Sequence, residues 1–368
     1  MNTDISRTRQ RIATLFEIMV GSDKKIHNAH LLVHSDLHHL HLNLAGGNAK
    51  IDVDDTVVVG QPVFMASVGK LFTATLIAML CERRMLTFQH RIVDILAPEL
   101  LDGLHVYKAK EYTDRIQIRH LLNHTSGLPD YFLDKPARGS RMVDRIIDEP
   151  ERIYQPRDVV AWSKESLKAK FPPGNGFHYS DSGYHLLGLI IEAVTGMPFP
   201  DALSHWIFDP LDMKQAYLIG HSLPCEASPY PVAGVYFGET NIVGYRSLSV
   251  DYAGGGITAP LEDLLKFMQA LTQGQLLSEQ TLKMMDDCAR FAPGIDYGYG
   301  IMKIRPVPLL MPRRYACWGN AGSTGAFLFY HPRLDAYLIG SLNQFRYHRK
   351  GIQFVLRVID TIAKEIFP

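Results

Sequence analysis

Four cysteines in 368 residues, Cys81, Cys225, Cys288 and Cys317, are too few and too widely spaced for a disulfide framework. None forms a Cys-x-x-Cys pair, which argues against a structural zinc site and leaves thiols that read as reduced. Net charge is missing as well: 38 Lys and Arg balance 38 Asp and Glu. Without a basic field the chain has no global hold on nucleic acid or an anionic membrane, so a small molecule is the expected partner. No apolar run is long enough to span a bilayer; the most apolar windows are Leu71–Cys81 and Leu186–Val194. The opening residues, Met1 to Gln10, carry charge and lead into no apolar stretch of the signal-peptide kind, so the chain reads as cytoplasmic. Internal repeats, low-complexity tracts and linkers are lacking too.

What is present is an ordinary globular composition, 46% hydrophobic and 21% charged, on a chain long enough for one large domain or two fused subdomains. Helical spacing of Ile12, Leu15, Phe16 and Met19 predicts a helix over 6–20. Alternation in His30–His34 and His39–Leu44 around a polar turn predicts a β-hairpin, and the apolar run Thr56–Gly60 follows it. The middle, about 90–240, carries helical patterns and loops rich in Pro, Gly and Asp. Strand character returns at Ala326–Tyr330 and Asp335–Gly340, and a last helix is predicted over Gly351–Phe367. Strands at both ends with helices between them imply an α+β domain whose sheet is closed by the two termini.

Three segments carry chemistry. The first is Ser67-Val68-Gly69-Lys70, which leads into Leu71–Leu80, apolar nearly all round and therefore a buried helix. Positions i and i+3 share a helix face, so the Lys70 amine can reach the Ser67 hydroxyl. A serine needs a base to become a nucleophile, and burial can lower a lysine's pKa into that role. The pattern alone is cheap: Ser22-Asp23-Lys24-Lys25 matches it, in a polar loop with no buried helix behind it. The plainer alternative makes Ser67 an N-cap and Lys70 a solvated first-turn lysine.

The second segment, Pro172–Gly183, is a turn-rich loop holding Tyr179 before the helical run Tyr184–Val194. A tyrosine there can relay a proton or pass one to a leaving group, although a buried structural tyrosine is the commoner fate. The third, Trp318-Gly319-Asn320-Ala321-Gly322-Ser323-Thr324-Gly325, precedes a strand. Its small residues allow close approach of a substrate backbone and its N–H groups could hold an oxyanion; a bulge that only curves the sheet is the alternative.

Taken together and in this order, the three segments resemble the serine β-lactamase and penicillin-binding-protein superfamily. The nearest branch holds class C β-lactamases, family VIII esterases and D-stereospecific peptidases. That family carries Ser-x-x-Lys, Tyr-x-Asn and Lys-Thr-Gly or His-x-Gly; the counterparts here are Ser67–Lys70, Tyr179-Ser180-Asp181 and Asn320-Ala321-Gly322. Ile118–Pro129, Gly254–Leu264 and Leu338–Gln344 are similar to further family segments, so the resemblance runs from about residue 30 to the end. It implies a β-lactamase/transpeptidase-like α+β fold in one catalytic domain. About 1–90 and 240–368 would form the α/β part, and about 91–239 an inserted helical part.

The resemblance also implies roles. Ser67 would be the nucleophile, Lys70 the base and Tyr179 the donor to the leaving group, with the order of proton transfer between Lys70 and Tyr179 open. The N–H groups of Ser67 and Ser323 would hold the oxyanion, with Asp181, Asn320 and Gly322 near the substrate. Two residues depart from the pattern. Asp181 stands where Asn is usual. Asn320 stands where a cation is usual, which loses an attraction for substrate carboxylates unless Arg313 or Arg314 replaces it. The reading is therefore an acyl-enzyme hydrolase of small esters or amides, esterase-like first. A β-lactamase or D-amino-acid-specific peptidase is the alternative, and an inactive ligand-binding relative the non-enzyme one. No cofactor is implied. His30, His34, His38, His39 and His41 cluster in the first hairpin, with His39 and His41 the pair that could share a face, but no metal is expected there.

Overall fold

The computed structural model describes residues 2–47, 57–307 and 311–366. Its first helix, α1 (Asn2–Ser22), buries Ile12, Phe16 and Met19 on the stripe that their spacing demands. The hairpin follows as β1 (Ala29–Ser35) and β2 (Leu40–Gly46), in register at Val33 and Leu42. After a long excursion the chain returns as β3 (Ala289–Ala292), β4 (Ile295–Tyr297), β5 (Met302–Ile304), β6 (Cys317–Ala321), β7 (Phe327–His331) and β8 (Ala336–Ser341). These form one antiparallel eight-stranded sheet in the order β3-β4-β5-β6-β7-β8-β1-β2. The N-terminal hairpin thus docks on the last strand, with Leu32 opposite Ile339, and both chain ends build the sheet.

Period-2 alternation divides these strands between two cores. Leu31, Val33, Phe327, Phe329 and Leu338 face α1 and the final helix. Their neighbours Leu32, Leu328 and Ile339 face the other way. There they meet α2 (Gly69–Glu82) and the helices packed with it. The final helix runs His348–Ile366, starting three residues before Gly351, and buries Val355, Val358, Ile359 and Ile362. Phe367 and Thr56, which the sequence reading included in a helix and a strand-like run, lie outside the described residues.

Val57–Gly60 is not a strand. The Val58 N–H donates to Gln61 Oε1 at 3.0 Å and Gly60 takes φ +93, which turns the chain. The strand comes later, at Val63–Phe64, and pairs with Ile257–Ala259 in a small three-stranded sheet. Between the two sheet-forming ends of the chain, α3 (Pro156–Ser166) packs on α4 (Asp181–Thr195). Ser180 caps α4 by accepting the Gly183 N–H, and Gly196 ends it at φ +70.

The hairpin histidines pair differently from the expectation. His39 takes φ +49 in the turn, away from His41. His34, directly opposite His41 across the ladder, meets it instead, Nδ1 to Nδ1 at 3.1 Å. Among the described residues no group of three or more His, Cys, Asp or Glu gathers as a metal site, and all four cysteines are free thiols. No single described helix is long and apolar enough to cross a membrane.

Candidate active site

The site begins with a strained turn. Ala66 takes φ +46, a left-handed conformation costly for any residue with a Cβ. A single 3₁₀ turn, Ala66–Val68, then runs straight into α2. The first N–H bonded within the turn is that of Val68, to Met65 O at 3.1 Å, and the Ser67 N–H before it has no acceptor among the described residues. Residues 69 to 80 of α2 are all buried, which anchors Ser67 to a rigid element.

Glycines decide how closely the walls approach. A Cβ on Gly69 would come within 2.6 Å of Gly255 O, so the start of α2 is pressed onto the Gly254–Gly256 backbone. That backbone supplies the Gly254 carbonyl, which accepts from Lys70 Nζ. A Cβ on Gly322 would fall 2.8 Å from Met65 O, so the end of the β6 segment lies directly against the turn that carries Ser67. Ser323 follows, and its N–H has no acceptor among the described residues.

Ser67, Tyr179, Asp181, Gly322 and Ser323 line a common cleft of about 750 Å³. Lys70 lies beneath its floor, fully buried, with Nζ 3.2 Å from Ser67 Oγ and 5.0 Å from the Tyr179 ring centroid. It also forms an ion pair with Asp181. Burial alone would depress the amine's pKa, but the Asp181 charge, with lesser contributions from Tyr297 and Asp251, carries it above its ordinary value. Burial, then Asp181, pushes the Tyr179 phenol well above its ordinary range against a hydrogen bond with Ser67. The resting site therefore holds a neutral hydroxyl, a neutral phenol and an ammonium within proton-exchange reach. Once Lys70 loses its extra proton, such a set can take a proton from Ser67 and return it to a leaving group.

Asn320 does not reach the cleft. It is fully buried, donates to Tyr297 Oη at 3.0 Å and Gly300 O at 2.9 Å, and accepts the Ala321 N–H at 2.8 Å. Its neighbour Ala321 lines the cleft, and adjacent strand residues point to opposite faces. Asn320 is thus a brace for Tyr297. Arg313 and Arg314 are no substitutes either: neither lines the cleft, and Arg314 pairs with Asp360 at 2.9 Å. The cations facing the cavity are Arg141, Arg346 and Arg349, of which Arg346 and Arg349 have no ion-pair partner among the described residues.

Two carboxylates join the site without any signal in the sequence, and a histidine comes from the segment Ile118–Pro129. Asp130 Oδ1 accepts the Asp181 and Phe132 N–H groups at 3.1 and 3.2 Å; burial, then the Asp181 charge, pushes it up to about 8. Asp251 also lines the cleft and is pushed up to about 7, chiefly by burial against the opposing pull of Lys70. His124 accepts the Ser180 N–H at 3.1 Å, and its ring lies over Tyr179 with centroids 4.2 Å apart. Burial, then Lys70, holds its pKa well below 6.5, so it is a neutral wall that orients the phenol. No local pattern marks the two carboxylates, because the groups that set their acidity, Asp181 and Lys70, lie about fifty residues or more away in sequence.

Comparison with known proteins fits this geometry. The family described as Beta-lactamase matches residues 36–353. Penicillin-binding protein 4* of Bacillus subtilis (strain 168) is 30% identical over 252 residues, 64% of this chain and 51% of that protein. A D-aminopeptidase of Brucella anthropi is 28% identical over 210 residues, 55% of this chain and 38% of that protein. The chain thus spans about half the length, or less, of these curated relatives. Among solved structures, D-amino acid amidase from Ochrobactrum anthropi SV3 superposes with a TM-score of 0.74 at 22% identity, covering 95% of this chain and 99% of that one. A D-stereospecific amidohydrolase from Streptomyces sp. gives 0.74 at 22% identity, covering 94% and 97%. With the match over most of its length and the antiparallel α+β architecture that goes with it, the chain belongs to the Beta-lactamase family.

Proposed function

We propose that this protein is a serine hydrolase that forms an acyl-enzyme on Ser67. The observation that carries the reading is Lys70 Nζ at 3.2 Å from Ser67 Oγ beneath the floor of the cleft. Once Lys70 has given up its own proton, Ser67 Oγ attacks the substrate carbonyl carbon while the Ser67 proton passes to the Lys70–Tyr179 pair. The N–H groups of Ser67 and Ser323 hold the oxygen that becomes negative. Tyr179 delivers the proton to the leaving group, and water then releases the acid and frees Ser67.

Small amides and short peptides are the favoured substrates, ahead of simple esters. The relatives named as D-aminopeptidase and D-amino acid amidase support that order. So does the lining: Asp181 and Asp251 place acidic groups in the wall, and Arg346 and Arg349 supply the cation that Asn320 does not. A substrate carrying both an ammonium and a carboxylate suits such walls. Four free thiols accord with a cytoplasmic location. The test is a screen of chromogenic D- and L-amino-acid anilides, phenyl esters and a chromogenic β-lactam, with Ser67→Ala as control. Turnover of any of them that the control lacks supports the reading; equal turnover by both proteins removes it.

A further inference from the structure

A second cavity, of about 470 Å³, opens in the helical lobe and shares no lining residue with the catalytic cleft. It lies between α3, the start of α4 and the short hairpin of Val106–Tyr107 and Lys110–Glu111. Its walls are aliphatic, with Leu104, Leu128, Val160 and Leu186 among them. Lys108, Lys164 and Lys168 also line it, and no Asp or Glu side chain does. The Lys164 ammonium is fixed at the rim by donating to the Asp102 carbonyl at 2.9 Å.

The floor holds two buried hydroxyls, Ser163 and Ser182, with their oxygens 3.1 Å apart. Ser182 Oγ also accepts the Tyr131 N–H at 3.1 Å. Two hydroxyls carry two protons, and their mutual bond uses one. The other has no acceptor among the described residues, and a buried O–H without one is costly. A ligand oxygen at the floor would satisfy it. Ser182 directly follows Asp181, so such a ligand would touch the turn that delivers the Lys70 partner.

We propose that this cavity binds a small anionic amphiphile, an aliphatic or aryl carboxylate. Its apolar body would fill the aliphatic walls, and its carboxylate would meet the lysines and the spare serine O–H. The class follows from the lining: apolar area drives burial, three ammonium groups without a carboxylate select negative charge, and the volume admits a ligand of modest size.

The test is calorimetric titration of the full chain with sodium octanoate, with octylammonium chloride as the cationic counterpart. Lys164→Glu/Lys168→Glu reverses two exposed charges without touching the core, and Ser163→Ala removes one floor hydroxyl. Octanoate should bind saturably and octylammonium should not. The double charge reversal should weaken octanoate about tenfold or more, since two attractions are lost and repulsion replaces them. Absence of saturable octanoate binding, equal binding of both probes, or wild-type affinity in the charge-reversed variant overturns the proposal. These readouts are independent of catalysis, so they stand apart from the acyl-enzyme reading.

Discussion

Replacing Asp181 by Asn tests the electrostatics of the site most sharply. Asp181 pairs with Lys70 and holds its pKa above the ordinary 10.5. At pH 7, then, Lys70 rests as an ammonium. At a separation of about 4 Å, two unit charges interact by about 4 kcal/mol at an effective dielectric constant of 20. Each 1.36 kcal/mol withdrawn from the ammonium moves an apparent pKa by about one unit. Asn keeps a hydrogen bond, and Asp251 keeps part of the attraction, so only a fraction of that energy is lost. The acid limb of kcat/KM should therefore move down by at least about one unit, because an amine raised in the folded protein gives up its proton at lower pH once its counter-charge is gone. On that limb, kcat/KM at fixed pH should rise about tenfold. The assay is kcat/KM against pH from 5 to 10 on the best substrate of the screen, with folding checked by circular dichroism. A limb that stays in place, or activity lost at every pH, refutes Lys70 as the proton acceptor held back by Asp181.

Other substitutions follow from the packing. Gly322→Ala puts a Cβ 2.8 Å from Met65 O and 2.9 Å from Ala66 Cβ. The Ser323 N–H must then shift, and kcat/KM should fall about 10²- to 10³-fold, as for loss of one oxyanion donor; retention of wild-type kcat/KM contradicts that placement. Asn320→Ala leaves Tyr297 Oη and Gly300 O without their donor. It should lower stability by about 1–3 kcal/mol in urea unfolding, and a change below about 0.5 kcal/mol would deny its bracing role.

How much of this could be read from the sequence differs by element. The final helix followed from a period of 3.6, because it buries a single face; the strands near 30, 327 and 336 are buried on both faces and were marked by short apolar runs between turn residues. The helix after Ser67 was readable for the opposite reason: it is apolar on every side. Ser67, Lys70 and Tyr179 were singled out because local pattern and family resemblance agreed. Asn320 was misassigned because a three-residue motif does not say which strand face a side chain occupies, and Ala321 takes the cleft face. Asp130 and Asp251 had no local signal at all. Their altered acidity comes from burial beside Asp181 and Lys70, brought together by folding across about fifty residues or more.

The most direct measurement is intact-protein and peptide mass spectrometry after treatment with a fluorophosphonate probe. One adduct per chain, mapped to Ser67, absent in Ser67→Ala and strongly slowed in Lys70→Ala, is the predicted result. An unmodified protein, or a label on another residue that persists when Ser67 is replaced, would contradict the account.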